Sequence, residues 1–526
     1  MSNITTKTEL ETNQNTLASA ANGTTANATA NVSAGASGSK MSVVEAHKML
    51  TSGQVSSVEL TQECLKIAKK NAQNSFITVT EDLAIEAAKK ADESIAKSKK
   101  NATTPSILTG IPMAIKDAFC TKGVLTTSAS KTLSNFTPTF NANVVQNLFN
   151  EGAVMIGKTN MDEFAMGSTN TNSNYGSCYS TLRDKRMPDA KLTPSGSSGG
   201  SAVSVLEGSS LFSLGSDTGG SVRMPASFCG IVGMKSSYGI CSRYGLISYA
   251  SSLDTCGAFA NTVEDVGYVL NTMSGFDPKS STSIAEKYDV KKFDHFNETI
   301  NKGVKGLKIG APKEYITDNI SAGAKDAFAK SLKILSDNGA EIVDISLPHT
   351  DEAILVYYVV STAEASSNLS RYDGVRYGVR SQDAFSNIDE FYANNRDYSF
   401  GFEVKRRIML GSFMLASEHY EDFFVKATKI RALIKQDFDL GFEKVDAILC
   451  PSATNVAFDP NQPQDPIKIY LNDILTVPSS LAGLPAISVP VFHGPQSGLP
   501  IGMQVIAPHG KDNISIQVAK VLQDHS

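Results

Sequence analysis

The sequence predicts an α/β protein whose helices pack on a layered sheet. From residue 307 onward, apolar runs typical of strands alternate with helical segments, and strands are predicted at 308–311, 341–345, 447–449, 487–491 and 503–507. The chain has 526 residues, of which 41% are hydrophobic and 19% are charged, as in ordinary globular proteins of one to three domains. No segment repeats at a fixed period, so we expect a layered sheet rather than a repeat array.

The first forty residues differ in composition from the rest of the chain. Residues 1–40 are rich in Ser, Thr, Asn and Ala and contain neither arginine nor an aromatic residue. That composition predicts a disordered low-complexity tail, and it fits neither a secretory signal nor an Arg-rich transit peptide. We therefore expect the folded part of the chain to begin near Met41.

The segment after the tail contains clear start signals for helices. Two capping boxes predict helix N-termini: Ser42 with Glu45, and Ser56 with Glu59. An alternating run at 76–79 predicts a strand, and the Ala/Lys/Glu-rich residues 81–97 predict a helix. Residues 110–116 predict a second strand, which ends in a lysine.

Residues 152–159 match the letters of a phosphate-binding P-loop. That motif binds phosphate only when a strand precedes the first glycine and a helix begins at the lysine, here Lys158. The sequence predicts the reverse order, with a helix at 143–151 that ends at Gly152 and a strand at 154–156. We therefore expect no ATP binding through this motif.

The net charge of the chain indicates which partners it can bind directly, and its cysteines indicate the compartment in which it works. With 48 basic and 53 acidic residues the net charge is −5, so any RNA is expected to be held mainly by a partner protein. The seven cysteines are scattered and include no Cys-x-x-Cys pair, which argues against a zinc site and favours the reducing cytoplasm. No apolar run approaches the length of a membrane span.

Two runs of small residues, 194–201 and 215–223, carry the candidate chemistry. Glycine lets a backbone come close to a ligand and turn its N–H groups toward it. Gly219 and Gly220 would then donate to an oxyanion, and Ser221 would attack a carbonyl carbon. The alternative is a flexible Gly/Ser linker, but the apolar runs beside these segments argue against it.

A serine nucleophile needs a base, and no histidine lies between His47 and His295. Lys116 can act as the base if burial keeps it neutral, although a lysine in isolation would more often form a surface ion pair. Asp217 and Arg223 flank the serine turn with opposite charges. We expect these two residues to form a buried ion pair that holds the turn rigid.

These motifs resemble those of the amidase signature family, whose members use a triad of serine, cis-serine and lysine. The resemblance identifies Ser221 as the nucleophile, Ser197 as the bridging serine and Lys116 as the base. It also implies an oxyanion hole built from the N–H groups of Thr218 and the two glycines. The implied fold is the amidase-signature fold, a large mixed central β-sheet covered by helices on both faces, in one catalytic domain at 41–526.

Three further segments resemble one branch of this family, the A subunits of glutamyl-tRNA(Gln) amidotransferases: 370–377, 403–411 and 470–476. This resemblance implies that Arg407 binds the α-carboxylate of glutamine, that Asp473 binds its α-ammonium and that Tyr357 also contacts it. A planar guanidinium suits a carboxylate, and an acidic group suits an ammonium. Without the resemblance, Arg406 and Arg407 would be assigned to a solvated helix face.

The branch implies a glutaminase that supplies ammonia for converting Glu-tRNA(Gln) to Gln-tRNA(Gln). The expected partners are the B and C subunits of a heterotrimer, in which the B subunit uses ATP and Mg²⁺ and holds most of the tRNA. No cofactor, metal or membrane is expected on this chain. The alternative is a stand-alone hydrolase of small amides, which needs neither partner nor ATP. A catalytically silent scaffold would require a broken triad, and all three triad residues are present.

Overall fold

The computed structural model describes residues 41–284, 299–462 and 472–526, so the tail predicted at 1–40 lies outside the described residues. The described chain contains one sheet of 11 strands. The strands are β1 Phe76–Val79, β2 Pro112–Lys116, β3 Val154–Thr159, β4 Phe212–Asp217, β5 Val232–Lys235, β6 Thr255–Ala260, β7 Lys308–Pro312, β8 Glu341–Ile345, β9 Ala447–Pro451, β10 Ala486–His493 and β11 Pro500–Ile506. All five strands predicted after residue 307 are therefore present.

Helices in the described ranges alternate with these strands. They are α1 Val43–Ser52, α2 Ser57–Lys70, α3 Glu81–Lys100, α4 Asn143–Asn150, α5 Gly199–Leu206, α6 Arg223–Cys229, α7 Val263–Met273, α8 Ala322–Asp337, α9 Ala353–Leu369, α10 Ile388–Ser399, α11 Phe402–Leu415, α12 Lys426–Phe442, α13 Val477–Leu481 and α14 Asp512–His525. None of the described helices combines the length and the apolarity required to cross a bilayer.

The sheet is mixed, and its strand order is β1-β3-β2-β4-β6-β5-β10-β11-β9-β7-β8. β2 pairs in parallel with β3 and β4, and β7 pairs in parallel with β8 and β9. The strands between these two groups pair antiparallel. Every residue of β2, β3, β4 and β6 is buried, so both faces of the sheet are covered there. The predicted mixed α/β fold is confirmed.

Local signals explain where the first helices begin. The Ser42 hydroxyl accepts a hydrogen bond from the N–H of Glu45 (3.1 Å), and the Glu45 carboxylate accepts one from the N–H of Ser42 (2.9 Å). Ser56 and Glu59 form the same reciprocal pair at 3.1 and 2.9 Å. Both predicted capping boxes are therefore confirmed, because each satisfies two N–H groups that a helix start leaves unpaired.

The P-loop-like segment has the order predicted for it. α4 ends before Gly152, which has a φ of +82°, and β3 follows directly. Lys158 is buried within β3, where its Nζ lies 3.2 Å from Asp117 Oδ1. The lysine thus pairs with an internal carboxylate, and the segment lacks the backbone geometry of a phosphate-binding loop.

The carboxyl ends of β2 and β4 meet at one edge of the sheet, because these strands are parallel neighbours. Lys116 is the last residue of β2, and Asp217 is the last residue of β4. After Asp217 the chain turns sharply and enters α6 at Arg223. This edge therefore brings the predicted base close to the predicted nucleophile turn.

Candidate active site

Lys116 is completely buried at the end of β2, where hydroxyl groups surround it. Its Nζ donates hydrogen bonds to Ser197 Oγ (2.8 Å), Ser198 Oγ (2.8 Å) and Ser216 Oγ (2.9 Å). The neighbouring Asp117 pairs with Lys158 instead. Lys116 is therefore held by neutral acceptors, and the surface ion pair considered as an alternative is absent from the described residues.

Burial also decides the protonation of Lys116. It lowers the pKa of this lysine from 10.5 to about 7, while the charges of Asp162, Asp217 and Asp254 act in the opposite direction. An ammonium removed from water without an adjacent carboxylate loses much of its solvation, so its neutral form becomes accessible. At neutral pH Lys116 can therefore accept a proton, as a general base must.

Ser197 lies just before α5, and the Gly196–Ser197 peptide bond is cis. Gly196 packs against the carboxylate of Asp162 so closely that a Cβ would collide with it. Asp162 is itself held by the N–H groups of Asn170 and Asn172, each at 3.0 Å. This packing places the hydroxyl of Ser197 within reach of Lys116, at the position that the resemblance assigns to the cis-serine.

Ser221 lies in the turn between β4 and α6, and it is 8% exposed. Within the described residues, the N–H groups of Gly219, Gly220 and Ser221 have no hydrogen-bond partner. Gly220 adopts a φ of +147°, which L side chains rarely adopt. The turn therefore presents free donors beside a serine hydroxyl, although no hydrogen bond joins Ser221 Oγ to Ser197 in the part of the chain that is described.

Asp217 and Arg223 form an ion pair across this turn, and both side chains are fully buried. Arg223 donates from Nη2 to Oδ1 (2.8 Å) and from Nε to Oδ2 (3.0 Å). Burial acts to raise the pKa of Asp217, but the charge and hydrogen bonds of Arg223 outweigh it and lower this pKa. Arg223 also donates to the carbonyl of Thr476 and to Ser480 Oγ, both at 2.8 Å. The pair thus ties the turn to the residues that follow Asp473.

Arg407 lies on α11 and is only 5% exposed. Its Nε donates to Glu403 (2.7 Å) and its Nη1 donates to the hydroxyl of Tyr249 (2.6 Å). Its guanidinium also lies over the ring of Tyr358, at 5.4 Å from the centroid. Among the described residues Nη2 has no partner, so this nitrogen is available to an anion. The solvated helix face considered for both arginines fits only Arg406, whose side chain is 37% exposed.

Asp473 and Tyr357 both border the nucleophile turn. The Asp473 carboxylate has no hydrogen-bond or ion-pair partner in the described ranges, and burial raises its pKa to about 7 against the opposing charge of Arg407. The hydroxyl of Thr476 lies 3.1 Å from the Asp473 carbonyl and donates to the carbonyl of Gly219 (2.7 Å). A Cβ added to Gly219 would lie 2.8 Å from the Tyr357 ring. The structure therefore brings both candidates to the site.

Sequence reasoning missed four polar side chains that hold this site: Ser198, Ser216, Tyr249 and Asp254. Ser198 follows the predicted bridging serine, which was the one local signal available for it. Asp254 accepts a hydrogen bond from Thr218 Oγ1 (2.7 Å), although the two residues lie far apart along the chain. Only the pairing of β4 with β6 brings them together, so no motif could have indicated this contact.

The chain is similar in sequence and in fold to known proteins. The Amidase family matches residues 59–514. The A subunit of glutamyl-tRNA(Gln) amidotransferase from Wolbachia pipientis wMel is 47% identical over 486 residues, which cover 92% of this chain and 97% of that relative. The protein of the same name from Ehrlichia canis is 45% identical over 492 residues, which cover 93% of this chain and 98% of that relative.

A solved structure is similar over nearly the same length. It is the crystal structure of the glutamyl-tRNA(Gln) amidotransferase A subunit from Thermotoga maritima, with a TM-score of 0.73 and 36% sequence identity. The match covers 93% of this chain and 95% of that chain. The family match at 59–514 spans all eleven described strands and the Ser221 turn.

Proposed function

The chain belongs to the amidase family, and from that premise we propose that it is the glutamine-hydrolysing A subunit of a glutamyl-tRNA(Gln) amidotransferase. The observation that carries this proposal is a set of polar groups around Ser221 that have no partner among the described residues: three backbone N–H donors, Nη2 of Arg407 and the carboxylate of Asp473. These groups complement the oxyanion, the α-carboxylate and the α-ammonium of glutamine. The names of the relatives, which are 45% and 47% identical, support the same assignment.

The proposed reaction begins with proton transfer through Ser197. Neutral Lys116 accepts the proton of Ser197 Oγ, 2.8 Å away, while Ser197 accepts the proton of Ser221. For this second transfer the Ser221 side chain must turn toward Ser197, since the two hydroxyls are not hydrogen-bonded to each other. The Ser221 oxygen then attacks the side-chain amide carbon of glutamine.

The tetrahedral intermediate next collapses to an ester. Its oxyanion accepts hydrogen bonds from the N–H groups of Gly219, Gly220 and Ser221, with Thr218 as a further donor. The carbon–nitrogen bond breaks as protonated Lys116 returns its proton through the bridging serine to the leaving nitrogen, which departs as ammonia. Water then attacks the γ-glutamyl ester while the same lysine accepts its proton through Ser197. The proton returns by the same route to Ser221 Oγ as the ester bond breaks and glutamate leaves.

Substrate recognition is assigned to the two charged groups that have no partner in the described ranges, Nη2 of Arg407 and the carboxylate of Asp473. Arg407 would bind the α-carboxylate of glutamine through Nη2, because its Nε and Nη1 already donate to Glu403 and Tyr249. Asp473 would bind the α-ammonium, whose positive charge would also keep this carboxylate ionised. Tyr357 would close the pocket on the side of the turn. A simple amide without these two charges would lose both contacts.

The remainder of the overall reaction is assigned to partner proteins. Ammonia would pass to a B subunit that activates Glu-tRNA(Gln) with ATP and Mg²⁺, and a small C subunit would hold the two larger chains together as a heterotrimer. Within the described ranges, no group of three or more His, Cys, Asp or Glu side chains is arranged to hold a metal ion. The net charge of −5 also gives this chain no general attraction for tRNA.

An exposed apolar face on α11 supports the assignment of a partner. Phe402 and Met409 are 79% and 72% exposed, and Phe413 is 49% exposed. Their spacing of seven and four residues places them on one face of the helix. Apolar faces of this kind mark interaction sites, and α11 also carries Arg407. Arg407 is buried on the other side of this helix, so the partner would cover the outer face of the helix that holds the proposed glutamine contact. Replacing Phe402 and Met409 with serine should prevent co-purification of the partner with this chain.

The compartment and the domain boundaries belong to the same proposal. All seven cysteines are free and buried, which suits the reducing cytoplasm. The catalytic domain would comprise residues 41–526. This range contains the full length of the family match, which ends at residue 514.

The test is ammonia release from glutamine by the purified chain, alone and with candidate B and C subunits, ATP, Mg²⁺ and Glu-tRNA(Gln). Strong stimulation by the complete set supports a role in a coupled amidotransferase. Turnover that needs no partner and is fastest on simple amides would instead identify a stand-alone amidase. Ser221→Ala is the control, and ammonia release at the wild-type rate by this variant would refute the nucleophile assignment.

A further inference from the structure

Asp254 lies directly before β6, at the edge of the sheet that carries the candidate active site. β4 ends at Asp217 and β6 begins at Thr255, and these two residues are directly paired. Thr218 and Asp254 are therefore neighbours just beyond the paired ends. The hydroxyl of Thr218 donates to Asp254 Oδ1 over 2.7 Å. One side of the Asp254 carboxylate thus holds the turn that carries the oxyanion donors.

The same carboxylate also holds residues 249–250, and Tyr249 contacts Arg407. Asp254 Oδ2 accepts the N–H of Tyr249 (2.9 Å), and Oδ1 accepts the N–H of Ala250 (3.2 Å). The hydroxyl of Tyr249 accepts a hydrogen bond from Arg407 Nη1 (2.6 Å) and donates one to Ser361 Oγ (2.9 Å). Hydrogen bonds at the backbone and at the hydroxyl of Tyr249, joined by its covalent side chain, therefore connect the oxyanion turn to the arginine.

No cation is paired with Asp254 in the described part of the chain, although the residue is only 3% exposed. A buried carboxylate without a cation is unfavourable unless hydrogen bonds compensate for its lost hydration. Here three donors, one hydroxyl and two backbone N–H groups, supply that compensation. An asparagine at this position could not accept all three hydrogen bonds, because its Nδ2 is a donor and would face one of the three N–H or O–H groups.

We propose that Asp254 is a positioning residue that sets the spacing between the oxyanion turn and Arg407 through Thr218 on one side and Tyr249 on the other. This inference rests on the proposed glutaminase function. The side chain of glutamine spans only a limited distance, so its α-carboxylate can bind Arg407 while its amide lies against the oxyanion donors only within a narrow range of spacings. A displacement of about 1 Å in such a site can reduce the rate about 100-fold.

The spacing role predicts a specific pattern of kinetics. Asp254→Asn should lower kcat/KM for glutamine about 10- to 100-fold, and for a simple amide without an α-carboxylate by a much smaller factor. Tyr249→Phe removes the hydroxyl that holds Arg407, so it should raise the KM for glutamine and leave the KM for the simple amide unchanged. Because both changes interrupt one connection, the double variant should be little worse than the more impaired single variant.

The experiment uses the full chain with its partner subunits and measures ammonia release from glutamine and from the simple amide. Asp265→Asn is the matched control, since Asp265 is also buried and accepts a backbone N–H, from Val44, away from the site. This control should lower the thermal stability without changing the relative activity on the two substrates. The inference would be overturned if Asp254→Asn lowered kcat/KM equally for both substrates. It would also be overturned if the loss in the double variant equalled the product of the losses in Asp254→Asn and Tyr249→Phe.

A second pair of variants covers the case in which Asp254→Asn does not fold. Thr218→Val and Tyr249→Phe change only the two ends of the connection, and the two residues share Asp254 as a partner. Their effects on glutamine turnover should be non-additive, and strictly additive effects would refute the spacing role. A wild-type complex that fails to hydrolyse glutamine would refute the proposed function instead.

Discussion

Lys116 should control the pH dependence of ammonia release, because its Nζ contacts Ser197 Oγ and it is the proposed base. Burial lowers its pKa from 10.5 to about 7. The neutral fraction of such a lysine is about one-tenth at pH 6, about half at pH 7 and about nine-tenths at pH 8. The rate of acylation should therefore rise about tenfold between pH 6 and pH 8 and then level off.

The assay must separate Lys116 from Asp473, because burial also raises the pKa of Asp473 to about 7. Asp473 is assigned to the α-ammonium of glutamine, so its ionisation should affect the binding of glutamine. We therefore choose a simple amide without an α-ammonium and measure single-turnover acylation from pH 5 to pH 10. Asp473→Asn is the control, and its profile with this substrate should match that of the wild type.

Two results would refute this account of the base. A rate that continues to rise beyond pH 9 would mean that Lys116 keeps the pKa of a solvated lysine. A folded Lys116→Met variant with near wild-type turnover would mean that another group accepts the proton. General-base catalysis contributes about 100- to 10,000-fold, so the expected loss in this variant is at least about 100-fold.

Three further predictions follow from buried charges. Between about pH 7 and pH 10.5 the unfolded chain should bind one more proton at Lys116 than the folded chain does, so the free energy of unfolding should rise with pH by up to about 5 kcal/mol. Urea titrations at pH 7.5 and pH 10 measure this rise, and Lys116→Met should lose it. Arg407→Ala should raise the KM for glutamine about 10- to 100-fold, since a charge-assisted hydrogen bond contributes about 1.5–3 kcal/mol. An equal rise in the KM for a simple amide would show that Arg407 does not bind the carboxylate. Asp217→Asn leaves Arg223 buried without its counter-charge and should cost about 3–5 kcal/mol of stability, visible as a lower urea midpoint; an unchanged midpoint would contradict the structural role of the pair.

Particular elements show why some predictions from the sequence were accurate. The capping box of Ser42 and Glu45 lies within four residues, so its hydrogen bonds depend only on local geometry. The reversed order of helix and strand around Gly152 was also predicted, since it depends on short-range periodicity and one glycine. The position of Asp254 could not be predicted, because its contact with Thr218 spans two strands that are distant in the chain.

The sequence by itself determined which chemical groups are available: a serine in a glycine turn, a lysine at the end of an apolar strand, and two oppositely charged residues beside the turn. Only the tertiary structure decided how these groups behave. It placed Lys116 among the hydroxyls of Ser198 and Ser216 rather than against Asp117, and it buried Arg407 while it left Arg406 at the surface. The pKa of a side chain and the number of its unused hydrogen-bond donors depend on burial and on neighbouring groups, and distant parts of the chain supply both.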